Sequence, residues 1–187
     1  SIFFYNKKKI KIIKGEFENK KLTFSKDLTQ KQKYGIGYDI HQLQTGYPLF
    51  IGGLKIKSSY GSVGHSDGDS VLHALIDSLL GAAKLGDIGM YFPNNKKNLG
   101  IRSTVLLKKI IQILGKMNLK VSSIDLNIII QSPNLQKYKN KIKHNIAKIC
   151  KIKTSLVNIK AKTTDRLGII GKNKAIAAEV ISTVENV

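Results

Sequence analysis

Three short stretches carry side chains able to do chemistry. The first is Asp39-Ile-His41. On an extended strand, residues two apart face the same way, so a carboxylate and an imidazole converge there. Zinc accepts both ligand types, although such a pair on its own is common and usually structural. The second stretch is Gly64-His-Ser-Asp-Gly-Asp-Ser-Val-Leu-His-Ala74. His73 falls in the first turn of a helix, with Asp69 and Asp77 four residues to either side on the same face. The helix N-terminus disfavours a charged imidazole and keeps His73 available as a neutral ligand. His65 and Ser66, in the loop just before, can donate hydrogen bonds to a substrate. A capping loop with a satisfied core histidine explains any one of these residues equally well. Asp67-Gly-Asp69 hints at a calcium loop, but the remaining ligand spacing and the terminal Glu are absent. Asp39, His41 and His73 together make three ligands, the number a catalytic zinc takes when one position stays open. The third stretch is Lys160-Ala-Lys-Thr-Thr-Asp-Arg-Leu-Gly168. Lys162, Thr163 and Thr164 offer a cation and two hydroxyls to phosphate oxygens, and Asp165 offers a carboxylate to a harder metal such as magnesium. A plain strand-end turn is the default reading, and Gly168-x-x-Gly171-Lys172 lacks the spacing of a Walker loop.

These stretches need elements to hold them. Gly35–Ile40 reads as a short strand and Pro48–Ile56 as a hairpin turning at Gly52-Gly53. Asp69 or Ser70 can cap a helix running to about Lys84, with Leu72, Leu75, Ile76 and Leu79 at helical spacing. Gly81 and Gly86 bracket its end. Further helices are expected over about Ser103–Met117 and Lys137–Cys150, each followed by a strand, Ile124–Gln131 and Val157–Thr163. Ala175–Val184 suits either element, and its β-branched residues favour a strand. Strands alternating with helices point to an α/β two-layer sandwich, a mixed four-stranded sheet with helices packed on one face.

The 187 residues carry a formal charge of +20, which suggests a nucleic-acid or membrane-surface binder. Its distribution argues otherwise. Residues 1–33 hold ten lysines against three acids; residues 34–95 hold three lysines against five acids; residues 96–187 hold 19 basic residues against four acids. The one acidic island also contains three of the four histidines, His41, His65 and His73. Only Arg102 and Arg166 are arginines, Trp is absent and no nucleic-acid motif is present, which disfavours a basic RNA- or membrane-surface-binding module and any specific nucleic-acid partner. The single Cys150 excludes an internal disulfide framework, and no apolar run reaches the ~18 residues of a transmembrane segment. Residues 1–33 read as a basic flexible N-terminal extension, either a solvated tail or the stump of an organelle-targeting leader. Residues 34–187 read as one domain.

Several blocks, in order, resemble the 2-C-methyl-D-erythritol 2,4-cyclodiphosphate synthases of non-mevalonate isoprenoid synthesis. They are Tyr38-Asp-Ile-His41, His65-Ser-Asp-Gly-Asp69, His73-Ala-Leu-Ile-Asp77, Leu80-Gly-Ala-Ala83, Leu85-Gly-Asp-Ile-Gly89 with Phe92-Pro93, and Thr163-Thr-Asp-Arg-Leu-Gly168. The resemblance implies a homotrimer with active sites at subunit interfaces. It implies zinc on Asp39, His41 and His73, and a magnesium or manganese ion held by Asp165, where the family typically has Glu. His65, Ser66, Asp87 and Gly89 would bind the methylerythritol phosphate. Ile130, Ser132, Pro133, Asn134 and Leu135 would line a cytosine pocket, and Lys162, Thr163 and Thr164 would meet the nucleotide phosphates. The resemblance also implies catalytic roles for His65 and Thr164. The implied substrate is the cytidine-diphosphate ester of methylerythritol 2-phosphate, and the product leaves with CMP. Family members occur in bacteria and plastids, so a plastid-type organelle is the expected location, with the bacterial cytoplasm as the alternative.

Overall fold

The structure, a computed structural model, describes residues 32–64, 66–93, 95 and 100–187. The basic extension expected over residues 1–33 therefore lies almost wholly outside the described residues. So does His65.

Seven strands and five helices follow β1 (Lys33–Thr45), β2 (Leu49–Ile51), β3 (Leu54–Ile56), β4 (Tyr60–Ser62), α1 (Ser70–Ala83), α2 (Ile88–Tyr91), α3 (Ser103–Lys116), β5 (Leu119–Ile129), α4 (Lys139–Cys150), β6 (Val157–Lys162), α5 (Gly168–Gly171) and β7 (Ala175–Asn186), with a 3-10 turn at Thr154–Leu156. The main sheet has five strands in the order β4-β1-β7-β5-β6. This corrects the expected four: the fifth is β4, paired antiparallel to the end of β1 through Leu43 and Ser62. Three residues containing Gly61 and flanked by Ser58 and Ser59 are too short and too small-residue-rich to show a strand period. The sheet is mixed, since β5 and β6 are parallel and every other pair is antiparallel. β2 and β3 form a separate hairpin. Gly52 (φ 58°) and Gly53 (φ 83°) turn it, the two positive dihedrals a tight type I′ turn demands.

Asp69 caps α1 by accepting from the Leu72 amide, and the same fully buried carboxylate accepts from the Gly52 and Gly53 amides. One side chain thus ties the hairpin turn to the helix start. Its role is structural. α1 runs through Gly81 and ends at Lys84 in the left-handed region, so Gly81 lies inside the helix. Leu72, Leu75, Ile76 and Leu79 are fully buried with Leu107 and Ile110 of α3, Ile142 and Ile146 of α4, and Leu126 and Ile128 of β5.

The contact that sets the layer spacing is glycine against backbone. A Cβ on Gly35 would lie 1.9 Å from the Ser78 carbonyl oxygen, and one on Gly37 would lie 1.9 Å from that of Ala74. Helix and strand run antiparallel, and four helical residues (about 6 Å) keep pace with two strand residues (about 6.6 Å). Continuing that register brings Asp39 to the first turn of α1. The opposite face of the sheet exposes Tyr34, Ile36, Tyr38, Ile40 and Ile181. Among the described residues no helix is long and apolar enough to cross a membrane.

Gly37→Ala is expected to destabilise the fold by about 1–3 kcal/mol or more, because the added methyl overlaps backbone that cannot yield. Gly81→Ala, whose methyl would meet nothing closer than 3.9 Å, is expected to gain up to about 1 kcal/mol from helix propensity. Denaturant midpoints of the two variants check both signs.

Candidate active site

β1 directs Gly35, Gly37, Asp39 and His41 toward α1 and its even-numbered neighbours away, as the alternating exposure of the strand shows. His73 meets Asp39 and His41 from the helix. The Asp39 Oδ2 lies 2.8 Å from His41 Nε2 and 3.1 Å from His73 Nδ1, and the two nitrogens are 3.2 Å apart. The donor atoms of this trio all fall within 4.8 Å of one another, and it is the only such group of three or more among the described residues.

His41 Nδ1 sits 3.2 Å from the Val63 carbonyl, which only accepts, so Nδ1 donates to it and the neutral imidazole turns its Nε2 lone pair inward. The Val63 amide in turn bonds the Gln42 carbonyl at 2.8 Å, extending the β1–β4 ladder. The short strand missing from the sequence reading therefore orients a site histidine. Burial pushes the Asp39 pKa up, but His41 and His73, which when protonated donate to the carboxylate and face it with positive charge, outweigh this and hold the carboxyl well below its usual range. Burial alone would lower the His41 pKa; the hydrogen bond and charge of Asp39 reverse this and raise it.

The trio fits a divalent ion. Zinc bonds of about 2.0–2.1 Å in a tetrahedron place ligand atoms about 3.3 Å apart, close to the triangle observed. The side chains of His41 and Asp39 retain 14% and 25% exposure, leaving one side open.

Around this centre, Ser66 Oγ lies 3.0 Å from His73 Nε2, the ring nitrogen other than the Nδ1 that meets Asp39 and His41. Asp87 caps α2 by accepting from Met90, and Gly89 sits against its carboxylate. Asp77 accepts from the Ile88 amide at 2.7 Å, which ties α2 to α1. Its pKa is pushed up by burial and by the nearby negative charges of Asp87 and Asp39. Three neighbours had no assigned role: Ser103 Oγ lies 2.9 Å from His73 Nε2 and 2.5 Å from Asp67 Oδ1, and Arg102 Nε donates to Asp67 Oδ2 at 2.7 Å. Asp67 stood inside a quoted motif. Ser103 gave no signal beyond a helix start.

The expected nucleotide residues gather elsewhere. The Ile130 amide bonds the Lys162 carbonyl at 3.0 Å, and the Arg166 amide bonds the Gln131 side chain at 3.2 Å, joining the 130–135 turn to the 162–166 loop. Ile130 and Leu135 are buried in the core, so this turn presents backbone and the Ser132, Pro133 and Asn134 side chains. Asn134 Oδ1 accepts from Gln136. Thr163 donates to Asp165 Oδ1 at 3.1 Å, and Thr164 donates to the Leu167 carbonyl at 2.7 Å, so the Thr164 oxygen is left as an acceptor. Asp165 and Arg166 both occupy the left-handed region, φ 49° and 67°.

The two groups share one end of the sheet but not one place. β1, β5 and β6 run the same way, and the register aligns Asp39 with Ala178, Ile128 and Ala161 across four strands. Three strand spacings amount to about 14 Å.

The YgbB family model matches residues 32–185. The chain is 52% identical to the bifunctional enzyme IspD/IspF of Pelagibacter ubique over 180 residues, covering 95% of this chain and 48% of that protein. It thus spans about half the length of this bifunctional relative. It is 43% identical to the 2-C-methyl-D-erythritol 2,4-cyclodiphosphate synthase of Fusobacterium nucleatum, covering 82% of this chain and 96% of that one. Among solved structures, IspF of Plasmodium falciparum in complex with CDP superposes with a TM-score of 0.74 at 32% identity, covering 84% of this chain and 98% of that one.

Metal binding at this centre requires His41 neutral, and Asp39 raises the pH at which its proton leaves. Zinc affinity is therefore expected to climb through and above the ordinary histidine range near 6.5 rather than level off below it. Chelator competition across pH measures this, and His73→Ala is expected to abolish stoichiometric binding.

Proposed function

The chain belongs to the YgbB family, and from that premise we propose that it converts 4-diphosphocytidyl-2-C-methyl-D-erythritol 2-phosphate to 2-C-methyl-D-erythritol 2,4-cyclodiphosphate and CMP. The observation that carries this reading is the convergence of Asp39, His41 and His73 on one point, within a chain that matches 96% of the length of a synthase of this name. The competing reading, a basic RNA- or membrane-surface-binding module, has no support in the comparisons.

In the proposed reaction an oxygen of the 2-phosphate attacks the β-phosphorus. The bond from that phosphorus to the bridging oxygen breaks, and CMP departs with the oxygen and its electron pair. No protein nucleophile is needed; the work is positioning and charge neutralisation. A zinc ion on Asp39, His41 and His73 would supply Lewis acidity to a phosphate oxygen. Ser66, His65, Asp87 and Gly89 would bind the methylerythritol phosphate, as in the family this chain resembles. Lys162 brings a cation, and Thr163 and Thr164 bring hydroxyl groups, to the nucleotide phosphates. Asp165 suits magnesium or manganese, which use one or two carboxylates together with phosphate oxygens and water.

The same reading includes a homotrimer with shared sites. The separation of β1 and β6 supports this: a single diphosphate does not span about 14 Å, so the metal trio of one chain would work with the phosphate loop after β6 of another. The outward sheet face is also unlike at its two sides. Tyr34, Ile36, Tyr38 and Ile40 occupy the β1 side, and Asp125, Asn158, Lys160 and Lys162 the β5–β6 side. Such a face suits head-to-tail contact in a closed ring better than a two-fold contact.

CMP release from the cytidylylated substrate is expected to require metal, to stop with a chelator and to return with added zinc. Turnover indifferent to the chelator would count against the mechanism. Ile36→Asp is expected to convert a species of three 20.7 kDa chains to single chains, abolishing turnover while zinc still binds; light scattering with metal analysis distinguishes these outcomes.

A further inference from the structure

We propose that Asp67 and Ser103 form a positioning pair that fixes which nitrogen of His73 carries its proton, and so aims the Nδ1 lone pair at the metal position. The proposal rests on the metal-centre reading above and adds two residues that reading does not use.

The inference follows from counting protons. The Asp67 carboxylate accepts on both oxygens: from Arg102 Nε at 2.7 Å on Oδ2, and from Ser103 Oγ at 2.5 Å on Oδ1. A serine hydroxyl has one proton, and here it points at Asp67. The same Ser103 oxygen lies 2.9 Å from His73 Nε2. Its proton is already spent, so it can only accept, and it draws the single proton of the neutral imidazole to Nε2 against the pull of the Asp39 carboxylate on Nδ1. Nδ1 is then bare, 3.1 Å from Asp39 Oδ2 and 3.2 Å from the bare Nε2 of His41.

Ser66 cannot do this. Its Oγ is 3.0 Å from the same nitrogen, but among the described residues no acceptor claims its proton, so it would accept from or donate to either tautomer. With Ser103 holding the histidine, Ser66 keeps its proton for a substrate oxygen.

The pair is also well sheltered. Ser103 is fully buried, and the Asp67 side chain is 4% exposed. Arg102 holds Asp67 from the far side; its guanidinium lies 4.1 Å from the Phe50 ring centroid and donates to the Gly53 carbonyl at 3.0 Å. The start of α3 and the β2–β3 hairpin therefore brace the imidazole from outside the metal's own ligands. Partners of this kind typically change metal affinity 10–100-fold.

The test compares Ser103→Ala, Asp67→Asn and Ser103→Thr with the unaltered protein. Zinc and cobalt affinities are measured by competition with a chromophoric chelator, and the imidazole tautomers of the metal-free protein by nitrogen-15 NMR at alkaline pH. Ser103→Ala is expected to weaken metal binding about 10–100-fold. Asp67→Asn keeps the shape, but its amide can donate to Ser103 and release the hydroxyl proton toward His73. It should therefore weaken binding comparably and shift His73 toward the Nδ1–H form. Ser103→Thr, which keeps the hydroxyl, should retain most of the affinity. Unchanged affinity in both Ser103→Ala and Asp67→Asn overturns the proposal, as does a His73 protonated at Nδ1 in the unaltered protein. That last measurement needs no variant to fold. An unaltered protein that binds no metal would instead sink the metal-centre reading, and the tautomer of His73 would still decide this one.

Discussion

The site depends on how closely α1 lies on β1. Two glycines let helix carbonyls rest against strand backbone with no side chain between. Any larger residue at Gly35 or Gly37 would lift the helix by the width of its side chain. A first-turn histidine would then fall short of Asp39 and His41. The metal trio is thus set by a missing pair of Cβ atoms, two and four residues before Asp39 on the same strand. Asp69 acts at the same junction, holding the helix start to the hairpin turn through three backbone amides. Burial and the charge of Asp67 raise its pKa, a sign of how strongly that junction is screened from water.

What the close approach gathers is an excess of lone pairs. Two imidazole nitrogens and a carboxylate oxygen face one another within 3.2 Å. Such a cluster needs a cation between its members. A proton and a divalent ion compete for that role, which is why Asp39 is held low and His41 is raised. The backbone carbonyl of Val63 fixes one histidine, and the buried hydroxyl of Ser103 meets the other.

Much of this was legible in the sequence, and the parts that were not have physical reasons. α1 announced itself through a capping aspartate and the spacing of Leu72, Leu75, Ile76 and Leu79, because helix period and burial coincide there. Asp39 and His41 were legible as a same-face pair, since strand period alone puts them together. β5 begins at Leu119, five residues before the expected Ile124, because a register shift between Val121 and Ser123 moves the buried residues from odd to even positions and breaks the alternation. β1 continues past Ile40 to Thr45 through residues too polar to advertise a strand. Ser103 lies thirty residues from His73, and serine at a helix start is ordinary; only the packing of α3 against α1 brings the two together.

The lateral distance between the metal trio and the nucleotide loops has a consequence for how the protein responds to its own abundance. If the two halves meet only between copies, each chain can be folded and metal-loaded yet inert alone. Mass action then governs activity as much as chemistry does: dilution would silence the enzyme without damaging any chain, and accumulation would switch it on. The apolar column along β1 becomes, in that light, a concentration sensor as well as a seam.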